Sequence, residues 1–306
     1  MQTPSSPIDP QWTILKILQW TTAYFKSHHI DSPRLTVEIL LAHALNAERI
    51  DLYTRFDQPL TKDELAIFKA LIKRRICREP VAYITGNREF FGIDFDVSPD
   101  VLIPRPETEF LVEAALACIP QTVSKPLRIL ELGAGSGAVI VSLAVNRPGH
   151  DYVASDISVN ALKTAAGNAE KNGVDGKILF FAGDLLAPLC PSARSFDLIV
   201  SNPPYIAGNQ LTALEPEVRD FEPTLALDGG VDGMDIIRKI IGAAPLYLAH
   251  DGVLMLEIGF DQKDRVAQIV TRDGRYGPPE FVKDYGGHHR VALMHKNGPL
   301  KNDCFN

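Results

Sequence analysis

The chain has little of what would place it outside the ordinary globular class. Its four cysteines, Cys77, Cys118, Cys190 and Cys304, are scattered over 306 residues and never stand at C-x-x-C spacing. That spacing excludes a disulfide framework and a thiolate zinc site, so reduced thiols in a cytoplasmic protein without a metal are expected. No apolar run approaches the roughly 20 residues of a membrane span. The start of the chain lacks a basic-then-apolar leader, and its first arginine is Arg34, which argues against signal and transit peptides. Positive charge is also scarce: 31 Lys and Arg stand against 38 Asp and Glu, a formal net charge of −7. A nucleic-acid partner gathered by bulk electrostatics, or read sequence-specifically, is therefore not expected. Internal repeats and low-complexity tracts are absent.

What is present reads as two domains of a soluble protein. Residues 1–10 form a polar, proline-bearing end. From Gln11 to about Arg78 apolar residues recur at helical spacing, as in Ile14, Ile17 and Leu18 or Leu65, Phe68 and Ile72. Thr61 and Glu64 make a capping box. We place an all-helical domain at 1–80. Lys69, Lys73, Arg74, Arg75 and Arg78 crowd its last helix, either as a solvated face or as a patch for an acidic partner or RNA. A linker at 81–104 carries a hairpin of Glu89–Phe95 and Phe95–Ile103 turning near Gly92. A helix starts at Thr108 and runs to about Ile119. From Leu127 the rhythm changes to strands at 128–132, 151–155, 178–182, 196–201 and 252–258. Helices fall between and after them at 137–145, 158–172, 233–249 and 261–272, and two late strands at 279–284 and 289–294 suit an antiparallel ending. This alternation predicts an α/β domain over 105–306, with a mostly parallel, Rossmann-like sheet covered on both faces.

Three stretches of that domain carry chemistry. Gly133-Ala134-Gly135-Ser136-Gly137 joins a strand to a helix, letting the backbone turn tightly against a ligand at a helix N-terminus. Gly133, Gly135 and Ala138 even satisfy the dinucleotide pattern, so the loop implies an adenosine-type cofactor without saying which. Asp156 ends the next strand, where a carboxylate binds ribose hydroxyls. Asp184 follows the third strand at the same sheet edge, a place that also suits a turn residue. After the fourth strand comes Asn202-Pro203-Pro204-Tyr205. Two prolines remove two donors and stiffen the loop, leaving the Asn202 side-chain oxygen and the Pro203 carbonyl as acceptors. Asn-Pro-Pro alone also fits a plain turn. Beside a nucleotide cleft, however, an acceptor pair suits a planar –NH2 group and points to methyl transfer from S-adenosyl-L-methionine. An amide nitrogen is a poor nucleophile, and two acceptors on its N–H bonds can orient its lone pair and stabilise the charge that grows there.

Over roughly Glu79 to Leu293 the chain resembles the release-factor glutamine N5-methyltransferases, the PrmC/HemK family. The resemblance is carried by Leu102-Ile-Pro-Arg-Pro-Glu-Thr-Glu109, Glu131-Leu-Gly-Ala-Gly-Ser-Gly137, Ser201-Asn-Pro-Pro-Tyr-Ile206 and Val218-Arg-Asp-Phe-Glu-Pro223, with Asp232-Gly-Met-Asp235 and Asp284-Tyr-Gly. It implies a class I S-adenosylmethionine-dependent methyltransferase fold behind a helical domain that helps to recognise the protein substrate. Gly133 to Gly137 would bind the methionine end and sugar of the cofactor, and Asp156 its ribose. Asp184 and Leu185 would stand at the adenine, where some members carry an aromatic residue in place of Leu185. Asn202 and Pro203 would grip the substrate amide, beside Pro204 and with Tyr205 packing against it. The implied substrate is the glutamine of the Gly-Gly-Gln motif in class 1 peptide chain release factors, and a monomer is expected.

Other readings stay open on sequence alone. Asn-Pro-Pro-Tyr is shared with adenine methyltransferases, which the acidic charge disfavours, and a ribosomal-protein glutamine is an alternative target. An NAD-dependent oxidoreductase would use the same glycine loop but leaves Asn-Pro-Pro-Tyr unexplained. A non-catalytic binding module would need neither Asp156 nor Asn202.

Overall fold

The computed structural model describes residues 11–122, 125–191 and 195–297; the polar end at 1–10 and Cys304 lie outside them. The chain divides into two compact units.

The first unit holds the residues up to Gly86 together with Pro216–Phe221. Its helices are α1 (Ile14–Ser27), α2 (Pro33–Ala44), α3 (Arg49–Thr54), α4 (Lys62–Ile76) and α5 (Val81–Thr85). Ile14, Leu18, Phe25, Leu40 and Phe68 pack a dry centre. The capping box at α4 forms as expected: Glu64 N–H donates to Thr61 Oγ1 at 3.2 Å, and Thr61 N–H to Glu64 Oε2 at 2.7 Å. Helical structure runs past Pro80, where the sequence pattern breaks. Pro80 sits at the N-cap of α5, a position where its missing N–H costs nothing, and Gly86 at φ +74° ends the helix.

The basic cluster of α4 is largely tied down within this unit. The Arg74 guanidinium forks onto Glu79 and also reaches the carbonyls of Tyr83 and Ile84. Arg75 is buried and pairs with Glu217 at 2.8 Å, and Arg78 adds a contact to the same carboxylate at 3.1 Å. These three arginines therefore bind the unit's own acids and carbonyls.

The second unit opens with a hairpin, β1 (Asn87–Phe90) and β2 (Ile93–Asp96), tighter than the sequence pattern predicts. Phe91 and Gly92 both have positive φ, as a two-residue primed turn requires. The second strand stops at Asp96, whose N–H donates to Asn168 Oδ1 at 2.7 Å, and residues 97–103 form no strand. Then follow α6 (Glu109–Cys118), β3 (Arg128–Leu132), α7 (Ala138–Asn146), β4 (Asp151–Asp156), α8 (Val159–Lys171), β5 (Ile178–Ala182) and β6 (Phe196–Ser201). After α9 (Pro216–Arg219), which clusters with the first unit, come α10 (Asp235–Ala243), β7 (Leu248–Glu257), α11 (Lys263–Asp273), β8 (Glu280–Lys283) and β9 (His289–His295).

The seven-stranded sheet has the order β5-β4-β3-β6-β7-β9-β8. Its first five strands are parallel; β9 runs antiparallel to β7, and β8 antiparallel to β9. Strand residues alternate between two cores. Ile129, Leu198, Val200 and Met255 face one, with Val139 and Leu111; Leu130, Ile199, Leu254 and Leu256 face the other, with Ile237 and Val266. Continuous apolar strands are what a sheet buried on both faces demands. Strand order reverses beside β3, so the carboxyl ends of β3, β4 and β6 surround one crevice. No helix among the described residues is long and apolar enough to cross a membrane.

Candidate active site

A cavity of about 480 Å³ opens at those carboxyl ends. Its wall includes Gly133, Ala134, Gly135 and Ser136 from the glycine loop, Asp156 after β4, Asp184 and Leu185 after β5, and Asn202 and Pro204 after β6. Four separate stretches, distant in sequence, therefore meet at one place. Gly137, Pro203 and Tyr205 lie outside this lining.

The glycine loop is built by backbone constraint. Gly133 and Gly135 have φ of +72° and +54°, with open space where a Cβ would sit, so conformation alone demands glycine. Gly137 differs: a Cβ there would meet the Ala165 Cβ at 3.0 Å, so it lets α7 pack closely on α8. The N–H groups of Gly133 and Ala134 both donate to the Ser155 carbonyl, at 2.8 and 3.0 Å. Asp156 organises the rest. Its two carboxylate oxygens accept from Gly135 N–H and Ser158 N–H, each at 2.8 Å. A carboxylate has about four acceptor sites, so about two stay open for hydroxyl groups.

Glu131, inside β3, is fully buried and was not among the expected site residues. Its Oε2 accepts from Ile140 N–H at 3.0 Å, satisfying an orphan donor in the first turn of α7. Burial holds its pKa well above the usual carboxylate range, the Ile140 bond pulls it back, and nearby Asp156 adds to the rise. The apolar walls come from side chains such as Leu102, Ile157, Leu185 and Leu225. Leu185 is held at φ +51°, a left-handed backbone that costs a leucine about 1–2 kcal/mol. Such strain tends to cluster at ligand sites.

The Asn202–Tyr205 loop is clamped from several directions. Gln262 Nε2 donates to the Tyr205 and Gly233 carbonyls, both at 3.0 Å, while its Oε1 accepts from Gly259 N–H at 2.9 Å. Gly229 and Gly233 leave no room for side chains: a Cβ on either would lie 2.8 Å from Tyr205 Cα or 2.4 Å from Tyr205 O. The Tyr205 hydroxyl donates to Glu257 Oε1 at 3.3 Å, and Asn202 Nδ2 donates to Thr108 Oγ1 at 3.1 Å. Burial, followed by the Glu257 charge, raises the Tyr205 phenol. Burial also pushes Glu257 up to about 7, against the lowering influence of Thr108, Tyr205 and Arg290.

Two of the sequence motifs meet here as well. Glu222 is buried and accepts from Ile103 N–H at 3.1 Å and from Arg105 at 2.5 Å, tying the Pro-Arg-Pro segment to the Phe-Glu-Pro segment. The sequence signal for the missed residues was a polar side chain inside an apolar strand: Glu131 in Ile-Leu-Glu-Leu and Glu257 in Leu-Glu-Ile.

Comparison with known proteins agrees with this architecture. The family model described as PrmC N-terminal domain matches residues 16–86, and the one described as Methyltransferase small domain matches 108–218. A release factor glutamine methyltransferase of Geobacter sulfurreducens is 45% identical over 263 residues, covering 86% of this chain and 90% of that one. Its counterpart in Rhodopirellula baltica is 38% identical and covers 94% and 98%. Among solved structures, the human methyltransferase 10 domain containing protein superposes with a TM-score of 0.50 at 18% identity, over 68% of this chain and 90% of that chain. At that identity it speaks for the fold alone, a class I methyltransferase fold. With relatives this similar over nearly its whole length, the chain belongs to the release factor glutamine methyltransferase family.

Proposed function

We propose that the protein transfers the methyl group of S-adenosyl-L-methionine to the side-chain amide nitrogen of the glutamine in the Gly-Gly-Gln motif of class 1 peptide chain release factors. One observation carries this reading: a single cavity wall joins the glycine loop and Asp156 to Asn202 and Pro204. The residues present fit the cofactor. The cavity is of ordinary ligand size, Asp156 keeps acceptor sites open for ribose hydroxyls, and Ile157 and Leu185 offer apolar surface to a base. When bound, the cofactor supplies an electrophilic methyl group on a sulfonium sulfur.

The remaining work falls to the chain. The Asn202 side-chain oxygen and the Pro203 carbonyl accept the two N–H bonds of the glutamine amide. That grip turns the nitrogen lone pair out of conjugation and stabilises positive charge as it develops. No strong base is required, because the methylated nitrogen is acidic enough to lose its proton to water. The helical domain, expected at 1–80, is assigned to recognition of the release factor, and 105–306 to catalysis; the family match at 16–86 supports a separate N-terminal domain there. The net charge of −7 weighs against an adenine substrate.

The test is transfer of labelled methyl from S-adenosyl-L-methionine to a purified class 1 release factor. A second sample carries alanine in place of the Gly-Gly-Gln glutamine. Label that disappears in the second sample is the expected result. Equal label in both would move the target glutamine elsewhere, and cofactor binding without any label would redirect the search to ribosomal proteins.

A further inference from the structure

An asparagine that must present its oxygen to a substrate has a problem of polarity. The two ends of its amide are nearly the same size, and a half-turn would aim the NH2 group at the substrate's own NH2. Something has to hold the nitrogen end. In this protein Asn202 Nδ2 donates to Thr108 Oγ1 at 3.1 Å. A threonine hydroxyl alone cannot decide the matter, since it both donates and accepts and would satisfy either orientation. The decision has to come from whatever takes the threonine's single hydrogen.

That partner lies at the end of β7. Thr108 stands at the N-cap of α6, yet its side chain makes no capping bond, so the hydroxyl is free of the role such a residue usually plays. It is buried and, like Glu257 at the end of β7, it holds the Asn202–Tyr205 loop, Thr108 through Asn202 and Glu257 through Tyr205; its hydroxyl also draws the Glu257 carboxyl down against the rise that burial causes. Glu257 Oε1 takes the Tyr205 hydroxyl, while Oε2 has no partner at ordinary hydrogen-bond distance among the described residues. A buried carboxylate oxygen without a donor is costly to keep, and catalytic hydrogen bonds often tighten only when the substrate arrives. An ionised carboxylate only accepts. An ionised Glu257 therefore has one oxygen open to the hydrogen of Thr108, a bond that would leave Thr108 Oγ1 only lone pairs to offer Asn202.

We propose that Glu257 and Thr108 are positioning residues that set the polarity of the Asn202 amide, Glu257 accepting from Thr108 and Thr108 from Asn202, so that the Asn202 oxygen faces the substrate amide. This rests on the role given to Asn202 above. The arrangement reverses when Glu257 is protonated: the acid then donates to Thr108, and the Thr108 hydrogen is released towards the Asn202 oxygen. The charged and titratable groups around Glu257 are Tyr205 after β6, Arg290 on β9 and Glu107 before α6. Arg290 favours the ionised form and Glu107 opposes it. Turnover should therefore rise with pH as Glu257 ionises.

The experiment measures kcat, KM and cofactor affinity for Asn202→Ala, Thr108→Val, Thr108→Ser, Glu257→Gln and the Asn202→Ala/Thr108→Val double variant, using intact release factor between pH 6 and 9. Thr108→Val should lose about ten- to a hundredfold in kcat, the scale of a misplaced catalytic group, with cofactor affinity unchanged. Thr108→Ser, which keeps the hydroxyl, should recover to within about threefold. The double variant should be no slower than Asn202→Ala, because both changes remove one interaction. Glu257→Gln should be slow at pH 8 and lose the rise of kcat with pH. Additive losses, a Thr108→Ser variant as slow as Thr108→Val, or wild-type turnover in Thr108→Val beside an impaired Asn202→Ala would each overturn the relay and leave the Asn202 role standing. Wild-type turnover in Asn202→Ala would overturn both.

Discussion

Asp156 shapes the glycine loop, and the proposed function gives the same residue a second task at the ribose of the cofactor. Its carboxylate already holds Gly135 N–H and Ser158 N–H, so it shapes the glycine loop before any ligand arrives. Asp156→Ala should weaken cofactor binding by at least about tenfold, since both ribose acceptors and loop order are lost. Calorimetry showing unchanged affinity would rule out the ribose role. Glu257 offers a second single-residue prediction, this time in stability. Its carboxyl is pushed from an ordinary 4.5 up to about 7 by burial. A raised acid pKa means the native state binds the proton more tightly than the unfolded chain does. The stabilisation is full below about 4.5 and is lost as pH rises through about 7. Glu257→Gln has no such ionisation. Between pH 5 and pH 8 the variant should therefore gain on the wild type, by on the order of 3 kcal/mol at most. Urea unfolding at both pH values reads the difference; parallel stabilities would contradict it. The same ionisation that sets the Asn202 amide would then weaken the fold, a trade seen where a strained site serves chemistry.

Elements were legible wherever one periodicity ran unbroken. Strands β3, β5 and β6 match their expected spans because each is a short apolar run bounded by polar or turn residues, and α7 and α8 follow from their glycine and serine starts. Legibility failed where chain chemistry interrupted a pattern without ending the element. β7 begins at Leu248 rather than 252, because Ala249-His250-Asp251 bulges out of the ladder while pairing resumes at Val253; Asp251 sits at φ +63°. The helix expected at 233–249 ends at Ala243, where Pro245 turns the chain into a short 3-10 segment. The site shows the same division. Gly133 to Ser136, Asp156, Asp184, Leu185, Asn202 and Pro204 stood out by residue type after a strand, and all of them line the cavity, while Gly137, Pro203 and Tyr205 do not. Thr108 and Gln262 were hidden, and the odd polarity of Glu257 in its strand did not say what it does, because their meaning depends on which distant backbone or side chain they touch. No spacing rule reports that.

At the scale of the whole chain, the division into units does not follow the order of residues. The helical unit recruits Pro216–Phe221 from a point 130 residues beyond Gly86. Glu217 is the reason this matters. Arg75 has a side chain only 6% exposed, and its guanidinium pairs with Glu217 at 2.8 Å. Arg75 also donates to the Glu79 carbonyl at 3.2 Å, which neutralises none of its charge. Arg78 leans on the same Glu217, and the two arginines together hold that carboxyl below the usual carboxylate range against the opposing pull of burial. Removing one member of a buried pair strands the other in a poor solvent, at a cost of about 3–5 kcal/mol. Glu217→Ala should therefore destabilise the helical unit by an amount of that order in the intact chain. Hydrogen exchange resolved along the chain would show it as lost protection in α4 and α5. The same reasoning predicts that a fragment ending at Gly86 is less stable than those helices in the full chain, because it carries Arg75 without Glu217. Adding Arg75→Met to the fragment should restore part of the loss, since the stem still packs but the unpaired charge is gone. A fragment as stable as the intact unit, with Arg75→Met making no difference, would mean that water reaches Arg75 well enough to replace the carboxylate.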